Sequence, residues 1–156
     1  MEGALQDYDK AIRLKPDHAD ALINRGIARR QKGDVEGALQ DYNEAIRLKA
    51  DHADAFSNRG NARRATGDVE GALQDYSEAI RLKPDFAIAF INRGNARGAK
   101  GDVEGALQDY NEAIRLKPDY ALAFYNRSNA RRAKGDLEGA RQDHDEAIRL
   151  GYKPKG

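Results

Sequence analysis

The side chains with the widest chemical range are three histidines, 26 carboxylates and 27 basic groups, and their spacing decides what they can do. His18 and His52 lie 34 residues apart in like surroundings, and His144 stands alone. None has the spacing of a helical zinc site such as H-E-x-x-H, so the first two read as solvated turn residues. With no cysteine, disulfides and thiolate metal sites are excluded. The glycines are spread singly rather than clustered before a helix, which excludes a phosphate-cradling loop. The carboxylates recur at matching places along the chain, whereas a catalytic acid is normally a singular residue in a pocket. The expectation is a chain that is not an enzyme and holds neither metal nor cofactor.

The elements that position these groups repeat. Gly33-Asp34 returns at Gly67-Asp68, Gly101-Asp102 and Gly135-Asp136, each step being 34 residues. Asn24-Arg25 returns at Asn58-Arg59, Asn92-Arg93 and Asn126-Arg127, and Gly33 to Lys49 is identical to Gly101 to Lys117. Each unit reads as two helices. Asp17 is placed to cap the first, and Ala21, Leu22 and Ala28 recur at helical spacing. Gly33 ends it, Asp34 caps the second, and Leu39, Tyr42, Ala45, Ile46 and Leu48 form an apolar stripe. Pro84 and Pro118 block continuation beyond later second helices. Gly37, Gly71, Gly105 and Gly139 sit early in those helices and cost up to about 1 kcal/mol against alanine, either for close packing or as tolerated weakness. The frame predicts one domain over 1–156, with a half unit at 1–18 and full units at 19–52, 53–86, 87–120 and 121–154.

The bulk numbers agree with a wet-surfaced helical chain: 156 residues, 40% hydrophobic and 34% charged. A formal net charge of +1 speaks against a nucleic-acid partner, which usually demands a basic excess. No apolar run approaches the roughly 20 residues of a membrane span, and no signal peptide is visible. Together with the lack of cysteine, this favours a cytoplasmic setting.

The pattern resembles the tetratricopeptide repeat, which has 34 residues per unit. The large first-helix residue is matched by Leu22, Phe56, Phe90 and Phe124, and the glycine by Gly26, Gly60 and Gly94, with Ser128 in the last unit. Ala38, Ala72, Ala106 and Ala140 match the second-helix alanine, followed by Tyr42, Tyr76 and Tyr110. The resemblance covers essentially the whole chain. It implies an all-α, right-handed α-solenoid of stacked antiparallel hairpins, about nine helices in all.

Two apolar positions of the family depart from its pattern in every unit. Its leucine before the glycine is Arg25, Arg59, Arg93 or Arg127, and its tyrosine after it is Arg29, Arg63, Arg97 or Arg131. A buried guanidinium needs a partner. Asp41, Asp75, Asp109 and Asp143, with Asp7 in the first helix, are the candidates for a structural arginine–aspartate ladder. The other reading has the arginines reaching solvent along their aliphatic stems.

In the resembled family, first helices line a concave groove that binds a peptide or protein segment. The carry-over falls on Asn24, Asn58, Asn92 and Asn126, and on Asn61, Asn95 and Asn129 three residues on, which share a helix face. Their amides offer donor and acceptor to a peptide backbone, or else bond a neighbouring helix. Ile88, Ile91, Leu122 and Tyr125 suggest an apolar anchor toward the C-terminal half, Asp20 and Asp54 lie toward the other, and Arg30, Arg64 and Arg132 line one edge. The family's clamp for chaperone carboxylates needs basic groove residues, but Ile23, Ser57, Ile88 and Asn92 stand there.

The ends differ. Residues 1–15 read as an unpaired second helix, so Leu5, Tyr8 and Ile12 lose cover and offer a surface for homo-oligomers. Arg141 and His144 make the last helix a polar cap, and Gly151 stops it before a short polar tail. The function implied is a non-catalytic protein-interaction scaffold. The alternatives are a recruitment domain cut from a larger enzyme, a designed or consensus-like array without a natural ligand, and, less in keeping with the charge, an RNA-binding repeat.

Overall fold

The computed structural model describes residues 2–153, among which there are nine α-helices and no strand. They gather into two compact units, one running to Pro84 and one starting at Asp85. The first unit holds α1 (Glu2–Leu14), α2 (Ala19–Gln31), α3 (Val35–Leu48), α4 (Ala53–Ala65) and α5 (Val69–Leu82). In it α2 pairs with α3 and α4 with α5 as hairpins, α1 packs on α2, α3 on α4, and α2 touches α4. The second unit holds α6 (Ala87–Ala99), α7 (Val103–Leu116), α8 (Ala121–Lys134) and α9 (Leu137–Arg149). Here α6 pairs with α7 and α8 with α9, α7 packs on α8, and α6 touches α8.

The corner inside each hairpin is built by the Gly-Asp pair. Gly33, Gly67, Gly101 and Gly135 have φ of 87°, 88°, 84° and 88°, a left-handed backbone that only glycine adopts cheaply. The amide of Asp34 donates to the Arg29 carbonyl and that of Gly33 to Arg30, so two carbonyls at the end of α2 are satisfied. Asp34 then caps α3: its Oδ1 accepts from the Gly37 amide at 2.8 Å. The same bond joins Asp68 to Gly71, Asp102 to Gly105 and Asp136 to Gly139, each at 2.9 Å. A Cβ on Gly37 would stand 2.2 Å from Asp34 Oδ2. The glycine therefore makes room for the capping carboxylate, which decides its role.

Two sequence expectations about caps give way. The first-helix cap of α2 is His18, not Asp17: Nδ1 of His18 accepts from the Ala21 amide, while Asp17 lies one residue too early and lends only its carbonyl to Ala19. Proline is also not what ends the second helices. α3 stops at Leu48 with Ala50 beyond it, at the same register as α5 and α7 before Pro84 and Pro118. The shared feature is a lysine cap, Lys49, Lys83 or Lys117, with its backbone near the extended region.

The core of the first three hairpins is a tyrosine ring against a glycine. Tyr42 and Tyr76 are fully buried, and Tyr110 nearly so. A Cβ on Gly26 would come within 2.6 Å of the Tyr42 ring, and on Gly60 or Gly94 within 2.7 Å of Tyr76 or Tyr110. The helices meet at that closeness because no side chain intervenes. In the fourth hairpin His144 replaces the tyrosine and Ser128, completely buried, replaces the glycine.

Candidate functional site

Each hairpin carries one carboxylate held by two arginines. Arg59 donates through Nε and Nη2 to the two oxygens of Asp75, at 2.9 and 2.7 Å, and Arg63 Nη1 adds a third bond at 3.0 Å. Arg25 and Arg29 hold Asp41, Arg93 and Arg97 hold Asp109, and Arg127 and Arg131 hold Asp143 in the same manner. All four aspartates are buried. Arg59, Arg93 and Arg127 also lie over the rings of Phe56, Phe90 and Phe124, about 5.4 to 5.5 Å from their centroids. The second arginine's Nη1 donates to the Gly37, Gly71, Gly105 or Gly139 carbonyl, tying the pair to the helix cap. A spare Nη1 links neighbouring hairpins: Arg59 to Asn43 in the first unit, Arg127 to Asn111 in the second. For Arg25 that role falls to Asp9 of α1 at 2.8 Å, while Asp7 is exposed. Each carboxylate oxygen accepts from at least one arginine, so every such group ties the two helices of its hairpin together.

The asparagines occupy a different layer. Asn61 Oδ1 accepts from the Tyr76 hydroxyl at 2.9 Å, and Asn95 Oδ1 from Tyr110 at 2.8 Å and from Asn126 Nδ2 at 3.0 Å. Their carbonyl ends are thereby turned to the chain, leaving the amino group of each as the free end. Asn58 Nδ2 donates to the Asp54 carbonyl of its own helix. Asn24, Asn92 and Asn129 make no side-chain hydrogen bond among the described residues, and Asn24 and Asn129 are exposed.

The apolar candidates divide. Ile88 and Leu122 are half-buried, but Ile91 is completely buried and belongs to the core, not to a surface. Tyr125 is already covered: the Tyr152 ring stacks on it with centroids 4.1 Å apart and planes 20° from parallel. The chain past Gly151 (φ 91°) is therefore not simply a polar tail, since Tyr152 folds back on α8. Nor is His52 a solvated turn residue. Its side chain is 14% exposed and Nε2 lies 2.8 Å from Asp20 Oδ1, a bond that lowers the pKa of Asp20 from its ordinary carboxylate value.

Two hollows lie on the first-helix faces. In the first unit, Asp20, Asn24, His52, Asp54 and Asn58 surround a floor of Ile23 and Ile27, enclosing about 240 Å³. In the second, a cleft of about 280 Å³ opens between α6, α7 and α8. Asn95, Asn126 and Asn129 border it, and Gly98, Ala130 and Ala133 line it. The last three were missed in the sequence, although one signal was there: Gly98 breaks a series otherwise made of Arg30, Arg64 and Arg132. No group of three or more histidine, aspartate or glutamate side chains suited to a metal ion occurs among the described residues, and none of their helices is long and apolar enough to cross a membrane.

Known proteins place the chain. No curated protein sequence matches it significantly. Among solved structures, the crystal structure of MamA superposes with a TM-score of 0.84 at 22% identity, over 96% of this chain and 87% of that one. YrrB, described as a TPR protein with an unusual peptide-binding site, gives 0.76 at 26% identity over 96% and 77%. The first TPR of Spaghetti (RPAP3), bound to the HSP90 peptide SRMEEVD, gives 0.73 at 23% identity over 75% and 93%. The fold is thus the α-solenoid of stacked hairpins. The TPR repeat model matches residues 26–67, 60–101 and 94–130, which span more than half of the sequence. The chain belongs to the tetratricopeptide repeat family.

Proposed function

We propose that this chain is a non-catalytic scaffold that holds an extended segment of a protein partner against the asparagine-bearing face of its first helices. One observation carries the reading. The amides of Asn61 and Asn95 have their carbonyl ends taken by tyrosine hydroxyls, which leaves N–H donors unspent, and Asn24, Asn92 and Asn129 make no side-chain hydrogen bond among the described residues. Such donors suit the carbonyl oxygens of a peptide backbone and are indifferent to its side chains. The peptide-binding descriptions of YrrB and of the RPAP3 domain support a peptide as the class of ligand. The HSP90 tail itself is not proposed, because Ile23 and Ser57, two of the clamp positions, are buried and uncharged.

A display selection of random peptides against the immobilised chain tests this. Selected peptides should bind the Asn92→Ala/Asn129→Ala double variant at least about tenfold more weakly, a loss of about 1.4 kcal/mol. Undiminished binding would remove the asparagines from the site. A second reading, self-association through α1, rests on Leu14, which is 78% exposed while Leu48, Leu82 and Leu116 at its register are half-buried. Sedimentation at several concentrations decides it: a mass that stays monomeric throughout removes α1 as an interface.

A further inference from the structure

Gly98 has no backbone reason to be glycine. It lies inside α6 in ordinary helical conformation, not in the left-handed region. A Cβ there would meet only the Ala106 Cβ, at an unstrained 3.8 Å. Within a helix it costs up to about 1 kcal/mol against alanine. What it supplies is the absence of a side chain. At the same register Arg30 lies near Tyr42, and Arg64 near Tyr76, close enough for their charge to oppose the effect of burial on each hydroxyl. Beside Tyr110 no arginine acts, and the cleft of about 280 Å³ stands open.

The lining of that cleft defines what fits it. Val103, Ala106, Ala130 and Ala133 give apolar walls, and the nearly buried Tyr110 adds to the lining. None of its lining residues is charged, so a cationic or anionic side chain would enter without a counter-charge, at a heavy cost. An apolar cavity of about 150 Å³ already accepts benzene, so this one holds a single side chain with room at its mouth. At the rim, the free amino end of Asn95 and the unpartnered Asn129 can bond the backbone on either side of that residue.

We propose that the cleft opened by Gly98 between α6, α7 and α8 is a specificity pocket that seats one aliphatic side chain, of leucine size, from the extended partner segment. The proposal rests on the groove reading above and adds the residue that the groove selects.

The probes are N-acetyl-leucine methylamide and its arginine and glutamate counterparts, titrated at millimolar concentration into the isotope-labelled full chain. The leucine probe should give saturable shifts of the Asn95, Asn126 and Asn129 side-chain amides, with the charged probes at least about tenfold weaker. Gly98→Arg, which restores the side chain of the sister repeats, should abolish the leucine response without lowering the melting temperature. Ala133→Gln, which brings in the residue found at that register as Gln31, should weaken it from the opposite wall even if the first variant folds poorly. Equal response to all three probes, no response to leucine, or a leucine response kept in both variants would overturn the pocket. Selected peptides that need Asn92 and Asn129 yet ignore Gly98→Arg would likewise overturn the pocket while leaving the groove intact. Peptides indifferent to the asparagines would instead overturn the groove reading.

Discussion

Arg59 and Asp75 meet edge to edge, two parallel N–H donors on two carboxylate oxygens, in a position where the aspartate side chain is only 3% exposed. Phe56 covers the guanidinium plane and Arg63 supplies a further donor. The aspartate thus loses water but gains a full set of bonds, and the arginine keeps its flat face in an apolar contact. That arrangement explains why two positions that are apolar in the family can be arginine in every unit here. The pair joins α4 to α5, and Asn43 extends it to α3.

Removing the carboxylate takes three hydrogen bonds and the nearest counter-charge from two partly buried guanidinium groups. Asp75→Ala should lower stability by about 3–5 kcal/mol, the usual range when one partner of a buried pair is deleted. Glu78→Ala, which breaks the exposed i, i+3 pair with Arg81, should cost little by comparison. Urea denaturation of both variants checks this. Equal small losses would mean that the arginines are satisfied by water.

The capping glycine gives a change of sign. Alanine normally gains up to about 1 kcal/mol over glycine in a helix. Gly71→Ala should not gain it, because the new Cβ would stand 2.2 Å from the Asp68 carboxylate and displace the cap. In an Asp68→Ala background the obstacle is gone, and Gly71→Ala should then stabilise the chain. A double-mutant cycle on urea midpoints reads the coupling directly. The same sign in both backgrounds would show that the carboxylate can move aside without loss.

The periodicity made most of the fold legible, since Gly33, Asp34 and Tyr42 act through local conformation and a spacing that repeats. What stayed hidden depends on partners distant in sequence. Asp7 stands at the register of Asp41 and was the residue expected to meet an arginine, yet Arg25 bonds Asp9, at the register of Asn43, where α1 packs on α2. Ile88 and Ile91 look alike on a helical wheel, yet only Ile91 is fully buried. Tyr152 lies past a helix-ending glycine and reads as tail until its ring is seen on Tyr125. The cleft was legible only as a missing arginine, because an absence carries no periodic signal.

Alkali should weaken the fold through the buried tyrosines. Burial, aided by the charge of Asp109, pushes the Tyr110 hydroxyl up to about 12, and burial raises Tyr42 and Tyr76 as well. An unfolded tyrosine ionises near pH 10. Between about pH 10 and 12 the unfolded chain has released a proton that the folded chain keeps. The stabilisation is therefore full below about pH 10 and is lost as pH rises through that window. The urea midpoint should fall across it, and Tyr110→Phe should flatten the fall. A midpoint independent of pH in that range would show that the rings ionise freely in place.

One substitution made in three hairpins should give two different results. Tyr76 and Tyr110 donate their hydroxyls to Asn61 and Asn95, so Tyr76→Phe and Tyr110→Phe each lose a hydrogen bond, at a cost of about 1 kcal/mol at neutral pH. In the first hairpin Ile27 stands where those asparagines stand, and the buried Tyr42 hydroxyl lies near the Arg30 charge but meets no acceptor among the described residues. Burying a hydroxyl without a partner is unfavourable, so Tyr42→Phe should be neutral or stabilising. Ile27→Asn should reverse that, because its carbonyl would give Tyr42 the acceptor that Tyr76 and Tyr110 have. Thermal and urea denaturation of the four variants separate the cases. A uniform loss across all three phenylalanine variants would mean that the asparagine carbonyls contribute nothing to holding the tyrosines, and the amino ends of Asn61 and Asn95 would then not be fixed toward a partner.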